Sequence, residues 1–125
     1  MNNLGALLRD LGRLEEAAEL ATAAVEGSRR TLGDAHAQTA TFLGQRARTL
    51  AAMKRFPEAE SDALLGRQSL DAAFGAAHEK TRSAIQILVD VYRAWDTAEP
   101  GAGHDVQATD WKAKLDAAAA AGSGH

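Results

Sequence analysis

The chain has 125 residues, of which 46 % are hydrophobic and 25 % charged, with a formal net charge of −3. It contains no cysteine, which excludes a disulfide framework and thiolate-based metal or nucleophilic chemistry. Charges of both signs are interspersed, so no basic stripe suggests nucleic acid, and no apolar run approaches the ~18–20 residues of a membrane span.

The N-terminal stretch "MNNLGALLRDLG" has no basic leader and carries Arg9 and Asp10 too early for a secretory signal. A cytoplasmic protein is therefore expected. The apolar residues are mostly Ala and Leu, aromatics are only 5 %, and prolines number two, so strong helix formers dominate throughout. An all-α fold is predicted.

In chain order, "LGR" at 11–13 reads as a tight turn, and "RLEEAAEL" at 13–20 then starts a helix with Glu15 and Glu16 in its first turn. "LGDAH" at 32–36 ends that helix, with Gly33 able to take positive φ. Over 35–53, Ala40, Leu43, Ala47, Leu50 and Met53 recur at three- and four-residue steps. A turn at "MKRF" leads into 57–72, where Pro57 suits a first helical turn and Ala59, Ala63, Gly66 and Leu70 keep one side small and apolar. "FGAAH" at 74–78 closes this helix. The strongest stripe follows in 79–96, with Ile85, Leu88, Val89, Tyr92 and Trp95. A further turn is expected at "AWDT", and Pro100, Gly101 and Gly103 make 98–104 a loop. A last helix over 105–120 carries Val106, Trp111 and Leu115 as a cap, and 121–125 is expected to be a flexible tail.

A 42-residue shift of the chain along itself aligns these pieces with one another. Gly33 and His36 fall on Gly75 and His78, and Arg13, Leu14, Glu16 and Ala17 fall on Arg55, Phe56, Glu58 and Ala59. "NNLGALLRDLGR" at 2–13 falls on 44–55 and again on 86–97. A fixed period of this length signals stacked supersecondary units. Each unit is predicted to be two antiparallel helices, and residues 1–97 hold about two and a half of them.

The segment "NNLGALLRDLGRLEEAAEL" resembles a tetratricopeptide repeat, with "NNLGALL" on helix A and "EEA" opening helix B. The familiar repeat is about 34 residues long. The 42-residue version with "LGDAH" at the joint resembles the longer repeats of kinesin light chain, which also occur in bacterial multi-repeat proteins. The resemblance implies a right-handed α-solenoid that ends in the capping helix, and the additional residues add about two helical turns per repeat. The first repeat is truncated at its N-terminus, which fits the end of a longer array or a shortened piece of one.

His36 and His78 invite a metal reading, but equivalent positions in adjacent repeats lie roughly 10 Å apart, whereas zinc–nitrogen bonds are about 2 Å. Each is expected to start an A helix at the inter-repeat turn. His104 and His125 have no partner at ligand spacing. Phosphate-cradling glycine motifs are absent, no serine has the surroundings of an activated nucleophile, and Glu15–Glu16 serves the helix dipole. No enzyme, cofactor or metal is expected. Trp95 is expected in the core under the last helix, with Trp111 as the anchor of that cap.

What remains is the inner wall. Carried over from the resembling family, the groove positions are Asn2, Ala6, Arg9 and Asp10 in the first repeat. The second supplies Thr41, Gly44, Arg48, Ala51 and Ala52, and the third Ser83, Gln86, Asp90, Arg93 and Ala94. Arg9, Arg48 and Arg93 suit an acidic or C-terminal peptide, while Asp10 and Asp90 oppose a purely anionic one. The Lys and Asn carboxylate clamp of chaperone-binding members is not matched. The expected function is a protein- or peptide-binding scaffold within a larger intracellular protein. The alternative is self-association, a homodimer through the N-terminal edge around Leu4, Leu8 and Leu11.

Overall fold

A computed structural model describes residues 3–33 and 35–123, with side chains for 12–33 and 35–121. Among these residues the chain forms five helices and no strand: α1 (Asn3–Leu32), α2 (Ala37–Ala52), α3 (Phe56–Phe74), α4 (Glu79–Ala98) and α5 (His104–Ser123). Each helix packs against the next in chain order, and α2 also meets α4. Alternate helices coming together in this way is the geometry of a helix-pair solenoid.

The two inter-repeat joints are built alike. Gly33 (φ 95°) and Gly75 (φ 87°) take the left-handed conformation after α1 and α3, where a Cβ would be strained. The Gly33 amide returns to the Ser28 and Arg29 carbonyls, and the Gly75 amide to that of Asp71 at 2.8 Å. Three residues later His36 and His78 adopt extended backbone and cap the next helix. Their Nδ1 atoms accept from the amides of Gln38 at 3.0 Å and Lys80 at 3.1 Å. A side-chain acceptor there satisfies one of the amides that a helix start leaves unpaired.

The stripes read from spacing form the core. Ala40, Leu43, Ala47 and Leu50 on α2 are buried, as are Ala59, Ala63, Gly66 and Leu70 on α3. The main cluster joins Ala47, Ala63, Leu88, Tyr92 and Ala108, with Trp95 and Trp111 packed on it. Small residues let the backbones approach closely. A Cβ on Gly66 would stand 3.1 Å from the Ala40 carbonyl oxygen.

Three expectations need correction. The turn at "LGR" is not made, because α1 runs through it without a break. In the next unit Pro57, in the first turn of α3, ends any continuation of α2, since proline lacks an amide and clashes with the preceding turn. Its counterpart one repeat earlier is Glu15, a good helix former, so nothing interrupts α1. The turn at "AWDT" is not made either. Helix α4 runs to Ala98 and stops two residues before Pro100, so the connection is 99–103, with Gly101 and Gly103 at positive φ. Finally, α5 begins at His104 and extends to Ser123, beyond the expected end at 120. The five consecutive alanines Ala117–Ala121 have the highest helix propensity and carry it on.

The joint before α5 is aromatic. The Trp95 ring stacks on Phe56 (5.7 Å between centroids) and on His104 (3.9 Å), tying α3, α4 and α5 together. Its indole N–H donates to the Glu99 carboxylate. Trp111 anchors the outer helix between the cations of Arg67 and Lys114, whose charged groups lie 5.3 and 4.3 Å from its ring.

Candidate functional site

A groove of about 520 Å³ runs between α2 and α4, with α3 as its floor. Its bottom is small and apolar: Ala40, Gly44, Ala63, Gly66 and Ala84, with Leu70 and Ile87. The two helices come close at Gly44, where a Cβ would come within 2.9 Å of Ile87 Cδ1. Glycine at this position therefore sets how closely α2 and α4 approach. Along the rims stand Gln38, Thr41, Gln45 and Arg48 from α2, and Glu79, Lys80 and Ser83 from α4 with its capping residue His78.

The expected inner-wall residues are distributed along this feature. Thr41, Arg48 and Ser83 line the groove. Gln86 and Asp90 lie on α4, where the Gln86 amide donates to Asp90 at 2.9 Å. The other Asp90 oxygen faces Arg48 across the groove at 3.9 Å, and both side chains remain about half exposed. This contact is long and solvated, so it positions Arg48 while contributing little energy. Arg93, one turn beyond Asp90, is exposed. Asn2 lies outside the described residues, as do the side chains of Arg9 and Asp10.

Several groove residues escaped sequence reasoning. Ile87, Gln38 and Gln45 form walls of the groove, and His78, Glu79 and Lys80 its mouth. There the exposed Phe74 ring stacks on His78 (4.4 Å) and carries Lys80 Nζ 5.6 Å above it. A sequence signal existed in the repeat, because His78 and Lys80 occupy the positions of His36 and Gln38.

On the opposite side, between α1 and α3, lies a second and wider depression of about 770 Å³. The Arg46–Asp62 and Arg55–Glu58 ion pairs border it, and α1 adds Glu15, Glu19 and Glu26. Its counterpart one repeat on is filled by Tyr92 and Trp95, whose positions correspond to Leu50 and Met53. The Tyr92 hydroxyl donates to Glu60 at 2.6 Å, and burial together with this bond pushes the phenol well above its ordinary range.

Among the described residues no group of three or more His, Asp or Glu is placed to hold a metal ion, and no helix is long and apolar enough to cross a membrane. The architecture is that of a stacked helix-pair array with open grooves. The sequence pattern of the tetratricopeptide repeat family matches residues 1–63, and the chain belongs to that family. Its 42-residue period fits the kinesin-light-chain-like form. Repeats of this family are in general protein–protein interaction modules built on a non-catalytic scaffold. Comparison with curated proteins and with solved structures returns no match.

Proposed function

We propose that the chain binds a peptide segment of a partner protein in the α2–α4 groove and acts by binding alone, without catalysis. The observation that carries this reading is the groove itself. It offers a floor of small apolar residues with a rim of amides, hydroxyls and separated charges. Such a surface suits an apolar side chain inserted toward Gly44 and Ile87, with backbone and polar groups met by Gln38, Gln45, Thr41 and Ser83. Arg48 and Lys80 give the rim two cations against Glu79 and Asp90, so charge selects register more than a uniformly acidic ligand.

Selection of peptides from a displayed library on the intact chain supplies the probe. Peptides so selected should bind the wild-type chain and lose at least about tenfold in affinity when Ser83→Trp fills the groove. The double substitution Arg48→Ala/Arg93→Ala should weaken the same peptides while leaving melting unchanged. Binding that survives both changes overturns the groove reading.

A further inference from the structure

We infer that the α2–α4 groove takes a proline-rich segment in the polyproline II conformation, an inference that rests on the groove being the binding site. Helices α2 and α4 are equivalent elements of successive units, so residues 42 apart stand across the groove from each other. Arg48 and Asp90, which meet at 3.9 Å, set this register. In it Gln38 stands opposite Lys80, Thr41 opposite Ser83 and Gln45 opposite Ile87, all six lining the groove.

The free polar groups on these walls are mainly donors. The Thr41 hydroxyl already donates to the Ala37 carbonyl at 3.0 Å, and Asp90 is taken up by Gln86 and Arg48. Among the described residues, the side chains of Gln38, Gln45 and Ser83 have no hydrogen-bond partner. With the exposed Lys80 ammonium they make a donor-rich rim, opposed by Glu79 at the mouth. A run of prolines is the complementary backbone. It has no N–H to satisfy, and in polyproline II its carbonyls are open to outside donors instead of bonded to one another.

Spacing selects the same conformation. Gln38 and Gln45 are seven residues apart on one face of α2, about 10.5 Å along its axis. Polyproline II has three residues per turn and rises about 3.1 Å per residue, so carbonyls i and i+3 point the same way about 9.3 Å apart. The two flexible carboxamides cover the difference. A β-strand presents like-facing carbonyls about 6.8 or 13.6 Å apart, and it would bring N–H groups to a rim with few free acceptors. An α-helix uses its own carbonyls and is about 10 Å across, too wide where Gly44 and Ile87 bring the walls together. On the floor, Ala63, Gly66 and Ala84 project little and leave room for compact pyrrolidine rings.

The test titrates hexaproline, blocked at both ends and about 19 Å long, into the intact chain by isothermal calorimetry. The wild-type chain should bind it with a dissociation constant below about 1 mM. Gln38→Ala and Gln45→Ala, both at exposed positions, should each weaken binding about three- to tenfold through one lost hydrogen bond and leave melting unchanged. Ser83→Trp should abolish binding. Hexaproline that binds equally well to both glutamine variants overturns the proposal. So does hexaproline that fails to bind while library-selected peptides bind the wild type and lose affinity in Ser83→Trp, a result that leaves the groove as the site. Absence of binding by hexaproline and by selected peptides alike removes both the proline inference and the groove itself.

Discussion

Arg46 on α2 grips Asp62 on α3 with two hydrogen bonds, Nε to Oδ2 at 2.6 Å and Nη2 to Oδ1 at 3.0 Å. Both side chains are largely covered, at 18 % and 12 % exposure. The bond to Asp62 raises the Arg46 pKa above its ordinary value despite partial burial. Asp62→Ala strands a partly buried guanidinium, so it should reduce unfolding free energy by about 2–3 kcal/mol. Replacing both partners by leucine should recover most of that loss, because neither charge is then left unpaired. Denaturant unfolding of the two variants measures the difference.

The histidine caps predict a graded result. His78→Ala removes the acceptor of the Lys80 amide and should cost about 1 kcal/mol. His78→Asn supplies a side-chain oxygen at the same place and should restore most of it. The same pair of substitutions at His36 should give the same ordering, since both joints share one geometry. Thermal melts of the four variants test this.

Lys54 is the one non-glycine residue at positive φ (63°) among the described residues. It lies in the turn between α2 and α3, where the Arg55 amide returns to the Leu50 carbonyl at 2.8 Å. Lys54→Gly relieves the left-handed strain, partly offset by a freer unfolded chain, so it should stabilise by about 0.5–1 kcal/mol. The equivalent position one repeat earlier is already Gly12. A lower urea midpoint for Lys54→Gly would contradict the strain argument.

Tyr92, the single tyrosine, gives an unambiguous alkaline titration. Burial and the bond to Glu60 hold its phenol neutral, raising the folded pKa above the ordinary 10.0. A raised folded pKa means that this contribution is complete below pH 10 and is lost as pH climbs from there toward the folded value. Tyr92→Phe should therefore flatten the alkaline fall in stability, while costing about 1–2 kcal/mol at neutral pH through the lost bond to Glu60. An unchanged alkaline profile would show that another group controls it.

The periodic parts of the fold were legible in the residues, and the departures from period only in part: Pro100, Gly101 and Gly103 marked the loop before the last helix, whereas the unbroken course of α1 was not visible. Ala40, Leu43, Ala47 and Leu50 could be read as core because a helix places three- and four-residue steps on one side. Gly33 and Gly75 announced the joints because few other residues take that conformation. The fate of "LGR" was hidden, since the 42-residue offset matches Arg13 with Arg55 but gives no weight to Glu15 standing where Pro57 ends a helix. The groove was half visible. Thr41, Arg48 and Ser83 could be placed by position in the repeat. Ile87 reaching Gly44, and Asp90 reaching Arg48, are contacts between neighbouring units, and a repeat offset records equivalence without recording contact. The stack of His104 on Trp95 belongs to the one interval where the pattern fails, so no earlier unit foretold it.

The claim that the α2–α4 groove binds a partner segment is tested most directly by photo-crosslinking. A benzophenone side chain is placed at Ser83 inside the groove in one variant, and at Ser61 in the α1–α3 depression in another. With a library-selected peptide bound, the groove reading predicts covalent capture from position 83 and none from position 61. Capture from position 61 alone would contradict it.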